Sequence, residues 1–321
     1  MIGTAYVTGA TGCIGRNLVD VLLENDWRVI VLHRKSSDLN KLNGCDVECR
    51  EVELTDFKSV KTALCTKADA MFHVAANLSH NKIHNTKQFI DNVWGTDNLV
   101  SASTNINKFI FTSTGAAYYC DNMSIEEIYN VKQTYIKTKK MSEFIVSRIN
   151  AIILRLPIVV GKYDYNNYSQ ILRMIESRKL KFSIPGTMMF AQATRVAKAH
   201  LSAYKNGKVG TYFLAGEVAS WHEFCVRVAN LMNIDAPYKP LPNWIYHVYA
   251  YVLYLKQIIT GKPELFTPEL VNLICQKADE IDLSVDILKT RNDLGYQPGK
   301  LDDALLECYE WMKEGGYSNM K

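Results

Sequence analysis

Tyr135 and Lys139 stand four residues apart in a stretch, 131–149, that contains neither glycine nor proline. On a helix that spacing stacks both side chains on one face, about one turn apart. A free phenol titrates near pH ~10 and is a poor proton donor or acceptor at neutral pH. A neighbouring ammonium favours the phenolate, so Lys139 is expected to bring Tyr135 down towards the working range of a general acid/base. Thr114 ends an apolar run, Lys108-Phe-Ile-Phe-Thr-Ser-Thr114, that reads as a strand. From that strand end its hydroxyl can bond the same substrate oxygen as Tyr135. In a chain with 18 tyrosines the spacing alone would describe a solvated helix face, and Lys137 and Lys140 fit that description too. The elements that precede the pair give it its meaning.

The chain begins with a short apolar run at 2–7, then Thr8, then Gly9, Gly12 and Gly15. After Gly15, the residues Asn17, Leu18, Val21 and Leu22 take up helical spacing. Strand, glycine turn and helix in that order make a phosphate cradle. The glycines let the backbone turn tightly and approach a pyrophosphate, and the helix start presents free N–H groups and a positive dipole. Gly9, Thr11, Gly12, Cys13, Ile14 and Gly15 are the candidate cradle residues.

A second strand at 27–32 ends in His33, Arg34 and Lys35. In a doubly wound sheet this strand end lies beside the adenosine ribose, where an acid bonds a 2′-hydroxyl and an arginine accommodates a 2′-phosphate. Arg34 therefore favours NADP(H) over NAD(H), against the alternative of an ordinary solvated loop. Further strands are expected at 47–54, 70–76 and 108–114, with helices opening at Asp56 and over 92–99. The strand at 70–76 closes on Ala75 and Ala76, small enough for a cofactor to lie against the backbone. His73, inside that apolar run, is expected to be a hydrogen-bonded core histidine. The alternation predicts an α/β fold, a doubly wound parallel sheet.

At 321 residues and 48% hydrophobic, the chain can bury a large core. The net charge of +4 is spread without a basic tract, so no nucleic-acid partner is expected. The eight cysteines form no Cys-x-x-Cys pair, and no metal site is expected. A strand starting at residue 2 leaves no room for a signal peptide, so free thiols and a cytoplasmic location are expected.

Together these residues resemble the extended short-chain dehydrogenase/reductases, the NAD(P)-dependent epimerase/dehydratase superfamily. The likeness is carried by Thr8-Gly-Ala-Thr-Gly-Cys-Ile-Gly15, Phe72-His-Val-Ala-Ala76, Asn92-Val-Trp-Gly-Thr96 and Thr112-Ser-Thr114. It continues through Tyr135, Lys139, Glu143 and Leu154-Arg155, and more loosely through 196–200, 210–216 and 293–296. The resemblance implies that Tyr135 is the general acid/base, that Lys139 binds the ribose and tunes it, and that Thr114 takes the serine/threonine role. It gives Asn92 a supporting structural place. It implies a cofactor lined by the cradle with Arg34, Leu54, Ala75, Ala76, Leu156 and Ile158. It further implies a nucleotide-binding domain over 1–160, with a returning strand near 210–216, and a smaller, mostly helical substrate domain over 161–321. The runs 31–38 and 263–268 are most similar to dihydroflavonol-reductase-like and 3β-hydroxysteroid-dehydrogenase-like members. Sugar-nucleotide epimerases of the superfamily commonly carry asparagine where this chain has Ile158, and Arg195 stands where an acid is usual.

The expected activity is interconversion of a ketone or aldehyde and an alcohol with NADP(H). A nucleotide-sugar epimerase or dehydratase using bound NAD and a non-catalytic NADP-binding sensor are the alternatives. The substrate is expected to be small and apolar or uncharged, with a pocket drawn from 78–85, 118–123 and the loops after Gly161. Ser220 with Glu223 marks a helix start, and 301–312 a C-terminal helix. The aromatic run 244–255 is too short to span a bilayer. It reads as a core helix, a lid or a membrane-interface helix. Helices around Asn92 and Tyr135 suit a homodimer, as the resemblance implies.

Overall fold

Ala5, Tyr6 and Val7 have no exposed surface on either side of the chain, as a strand in the middle of a two-faced sheet requires. The computed structural model describes residues 2–79, 85–165, 167–260, 267–268, 271–272, 275 and 283–316. The first half alternates strand and helix: β1 (Thr4–Thr8), α1 (Cys13–Glu24), β2 (Arg28–His33), β3 (Glu48–Glu51), α2 (Phe57–Ala63) and β4 (Ala68–His73). Then come α3 (Asn85–Phe89), a π turn (Ile90–Trp94), α4 (Gly95–Ala102), β5 (Ile106–Thr114), α5 (Ile125–Tyr129), α6 (Thr134–Val146) and β6 (Ala151–Leu156). The second half runs β7 (Ile158–Val160), α7 (Ser169–Glu176), β8 (Thr187–Gln192), α8 (Ala193–Asn206), β9 (Gly210–Phe213), β10 (Glu217–Ser220), α9 (Trp221–Leu231), α10 (Asn243–Thr260), α11 (Ser284–Leu294) and α12 (Leu301–Trp311).

Seven parallel strands form the main sheet in the order β3-β2-β1-β4-β5-β6-β9. The strand order reverses beside β1, which places the crevice for a ligand at the carboxyl ends of β1 and β4. The expected returning strand pairs with β6, with Ile152 opposite Gly210. A second sheet, β10-β8-β7, carries the smaller lobe.

Two cores flank the main sheet. Leu18, Val7, Val196 and Tyr212 belong to the one beneath α1 and α8. Val60, Leu99, Phe111 and Val146 belong to the one beneath α2, α4 and α6. A third core fills the smaller lobe, where the Phe190 ring lies 5.2 Å from Trp221 and 5.1 Å from Phe224.

Three sequence expectations are refined. The third strand is shorter than 47–54, because Asp56 N bonds Glu53 O at 3.0 Å and turns the chain into α2. The helix expected over 92–99 begins earlier, at Asn85. Gln88 anchors that earlier turn by donating to the carbonyls of Asn77 (2.9 Å) and Ser79 (2.7 Å). Helix α1 starts at Cys13, inside the glycine run rather than after it. The Ser220–Glu223 start forms a complete capping box. Of the run 263–268, residues 263–266 lie outside the described residues, as do 80–84 of the expected pocket wall.

Leu18 has no exposed surface and sits where α1 meets the sheet. Leu18→Ala is expected to lower the unfolding free energy by about 2–5 kcal/mol in urea denaturation. A loss well below about 1 kcal/mol would contradict the close packing of α1.

Candidate active site

The carboxyl ends of β1, β4, β5 and β6 converge on one crevice, and each contributes through its last residues. Gly9 follows β1 with φ +73°, and a Cβ there would sit 2.7 Å from Ala75 N. A Cβ on Gly15 would meet Gly9 O at 2.1 Å. Gly12 caps α1 without a side chain, so the first-turn amides of Cys13, Ile14 and Gly15 keep their donors for an anion. These observations fit a pyrophosphate at the cradle, since backbone packed this closely leaves the free first-turn amides as the donors that face it. Cys13 is no nucleophile here: burial pushes its thiol well above the usual range.

Thr8 ties the cradle to β4. Its hydroxyl accepts from Val74 N and Ala75 N, both at 3.1 Å, and lies 2.8 Å from His73 Nδ1. Thr96 donates to Asn92 O at 2.6 Å and lies 3.0 Å from His73 Nε2. Thr96 therefore accepts from Nε2–H, leaving Nδ1 to accept from Thr8. Burial, with Lys139 nearby, holds His73 down at about 3, so the ring is neutral. It is the satisfied core histidine expected from the sequence.

Tyr135 occupies the first turn of α6 and shares a hydrogen bond with Thr114 at the end of β5. Thr114 Oγ1 also accepts from Ala116 N at 3.3 Å. Burial raises the phenol to about 12, only partly offset by the Thr114 bond. This corrects the expectation that Lys139 draws the phenol down. The Lys139 ammonium instead donates to Thr112 O at 2.5 Å and lies 4.1 Å above the Phe111 ring. Burial depresses Lys139 to about 7, against a smaller upward pull from Glu143. Spacing put the two residues on one face, but the buried cation has taken a backbone acceptor.

Glu143 lies one further turn along α6 and is buried. It accepts from Ser113 Oγ at 2.6 Å and from Arg155 Nε at 2.9 Å and Nη2 at 2.6 Å. Arg155 also grips Asp121 at 2.5 and 2.6 Å, and Lys140 bonds the same carboxylate. Burial alone would raise Asp121, but these two cations hold it below the usual carboxylate range. An open cavity of about 260 Å³ borders this cluster. The cations and carboxylates that pair with one another there make it a brace for α6 rather than a binding site.

Asn92, inside the π turn, completes the frame. Its Oδ1 accepts from Asn77 N at 2.7 Å, and its Nδ2 donates to Asn77 O and to Thr138 Oγ1, each at 3.1 Å. The remaining cofactor candidates sit around the same crevice. Ala75 and Ala76 follow β4, half-buried. Leu156 is buried opposite Thr114 in the β5–β6 register. Ile158 opens β7, and Leu54 O accepts from Asn98 Nδ2 at 2.8 Å. Arg34 is exposed immediately after β2 and takes part in no ion pair among the described residues. Sequence reasoning missed Tyr168: it packs 5.9 Å from Trp221, and burial together with Asp164 and Tyr135 raises its phenol. No periodicity in its loop points inward.

Residues 5–216 match the model of the NAD dependent epimerase/dehydratase family. The chain belongs to that family. Its relatives include sterol demethylase protein B of Methylococcus capsulatus, 28% identical over 68% of this chain and 74% of that protein. Another is the 3-beta-hydroxysteroid dehydrogenase of Mycolicibacterium neoaurum, 23% identical over 96% of this chain and 90% of that protein. The fold matches that of the Bordetella bronchiseptica enzyme WbmH, solved in complex with NAD+ (TM-score 0.74, 18% identity, 98% of this chain and 100% of that one). Other relatives are named as dehydrogenases or reductases acting on sterols, steroids and dihydroflavonols.

The depressed Lys139 has a thermodynamic signature. Between about pH 7 and 10 the unfolded chain keeps this proton and the folded chain does not, so raising pH relieves the cost of burial. Lys139→Met is expected to be more stable than the parent at about pH 7, with the advantage shrinking towards about pH 10 in urea titrations. An advantage that grows with pH would contradict the assignment. Glu143→Gln leaves Arg155 short of a buried counter-charge and is expected to cost about 3–5 kcal/mol by the same measurement.

Proposed function

We propose that the chain is an NADP-dependent oxidoreductase that interconverts a ketone or aldehyde and an alcohol, with Tyr135 as general acid/base. The observation that carries this reading is the Tyr135–Thr114 hydroxyl pair, half-buried at the carboxyl end of β5 on the same side of the sheet as the uncapped glycine cradle. Two hydroxyls that bond one another can both turn to a single substrate oxygen, and a phenol held at about 12 keeps its proton at neutral pH. In the reductive direction Thr114 polarises the carbonyl and Tyr135 protonates its oxygen. In the oxidative direction the Tyr135 phenolate takes the hydroxyl proton. A bound nicotinamide dinucleotide supplies or accepts the hydride.

Gly9, Thr11, Gly12, Cys13, Ile14 and Gly15 would hold its pyrophosphate, and Ala75, Ala76, Leu54, Leu156 and Ile158 would line it. Lys139 would bind the ribose only after leaving its present acceptor, the carbonyl two residues before Thr114. The choice of NADP rests on Arg34, an exposed guanidinium at the strand end where a 2′-phosphate lies in doubly wound sheets. Relatives named as steroid and sterol dehydrogenases support the reaction class, and the 3-beta-hydroxysteroid dehydrogenase among them supports an apolar or uncharged substrate. The same hydroxyl pair would serve an epimerase or dehydratase that keeps NAD bound through its cycle. Ile158 argues against that, having no hydrogen-bond donor to offer a nucleotide diphosphate.

Tyr135→Phe is expected to lower turnover of a carbonyl substrate by about 10²–10⁴-fold, followed by NADPH absorbance. Unchanged turnover would remove Tyr135 from the chemistry. Arg34→Ala is expected to weaken NADPH binding by about 10-fold or more and leave NADH affinity unaltered in fluorescence titrations. A parent protein that prefers NADH would overturn the role of Arg34. With the phenol near 12, alcohol oxidation is expected to gain on ketone reduction as pH rises, because only oxidation needs the phenolate.

A further inference from the structure

Helix α10 is packed the wrong way round for a helix on a water-facing surface. At 3.6 residues per turn, Ala250 and Gln257 fall on one line, and these two are its buried side chains. Tyr246 lies beside that line and moors the helix, accepting from Leu241 N at 3.0 Å and donating to Ser183 O at 2.8 Å. The opposite face carries Trp244, Val248, Tyr251, Leu255, Ile258 and Ile259 in a stripe about 100° wide. Each is more than half exposed, Trp244 at 65% and Ile259 at 84%. An ordinary amphipathic helix turns such a stripe to the core. Here it is turned outward over the length of an 18-residue helix. An exposed apolar face of that size marks an interaction surface.

The surroundings indicate what the stripe meets. Helix α10 contains no carboxylate, and Lys256 is its one formally charged residue. The ribbon that holds its first turn is made by Tyr238 N donating to Lys181 O and Ser183 N donating to Tyr238 O, both at 2.9 Å. On it the exposed rings of Phe182 and Tyr238 lie 5.8 Å apart. Arg178, Lys179, Lys181 and Lys239 are exposed on these segments, against Glu176 and Asp235 as the acids. Tryptophan and tyrosine among aliphatic side chains, with cations at one end, is the composition of a helix lying in a membrane interface. Two copies of this face would offer the basic ribbon no carboxylate on either stripe, whereas an anionic headgroup layer complements both parts. Among the described residues no helix is long and apolar enough to cross a membrane, so the helix would lie in the plane.

We propose that α10, with the basic ribbon at its first turn, docks this enzyme on the headgroup–acyl boundary of an anionic lipid bilayer. The proposal is independent of the catalytic assignment. The test is flotation of the full chain with vesicles of phosphatidylcholine and phosphatidylserine, and with phosphatidylcholine alone. Binding to the anionic vesicles is expected, weakened by salt. The triple change Val248→Ser, Leu255→Ser and Ile258→Ser is expected to reduce it by about 10-fold or more. Its thermal midpoint should be unchanged, since all three side chains face outward. Lys181→Glu with Lys239→Glu is expected to weaken binding to the anionic vesicles while leaving the stripe intact. Failure of the parent chain to float with anionic vesicles would overturn the proposal. So would a dimer in sedimentation that the triple change turns into a monomer, because the stripe would then be covered by a second copy.

Discussion

One buried carboxylate holds the site in register. Glu143 receives the hydroxyl of Ser113 and the guanidinium of Arg155, and so joins α6 to the ends of β5 and β6. Ser113 is the residue before Thr114, and Glu143 is two helical turns beyond Tyr135. Fixing Glu143 therefore fixes Tyr135 against its hydroxyl partner Thr114. A carboxylate this deep is tolerated only when fully paired, so the arrangement is close to all-or-none. The outer pairing of Arg155 with Asp121, a carboxylate that Lys140 also bonds, keeps the guanidinium from swinging away.

A second chain of bonds connects that helix to the cradle. It runs from Thr8 after β1 to His73 on β4, then Thr96 on α4, Asn92 in the π turn and Thr138 on α6. Thr138 in turn donates to Tyr135 O at 3.0 Å. A neutral imidazole is needed at its centre, because one nitrogen must accept while the other donates. Burial ensures this by holding His73 at about 3. The glycine turn and helix α6 are thus two ends of one uncharged network.

The strands were legible because burial on both faces demands continuous apolar runs, and 70–76 and 108–114 have them. The cradle was legible because only glycine satisfies the backbone at Gly9 and the contact at Gly15. The electrostatics were not. The spacing of Tyr135 and Lys139 is local, but the position of the ammonium depends on the Thr112 carbonyl and the Phe111 ring, which tertiary packing delivers. The early start of the helix at Asn85 escaped for the same reason, since Gln88 bonds carbonyls in a preceding loop. In α10 the aromatic run could be read, but which side faces water could not. Arg34 was legible as a position, yet what it selects depends on a ligand that no residue pattern names.

In the proposed reaction the site transfers hydride between a dinucleotide and a carbonyl carbon while Tyr135 manages the proton. Its most direct test is the fate of label from NADPH deuterated at the reactive nicotinamide carbon, incubated with a panel of ketones and aldehydes. The account predicts an alcohol carrying deuterium on the former carbonyl carbon, formed one for one with NADP+. A product that is an epimer of its substrate, with no deuterium from the added cofactor, would contradict it.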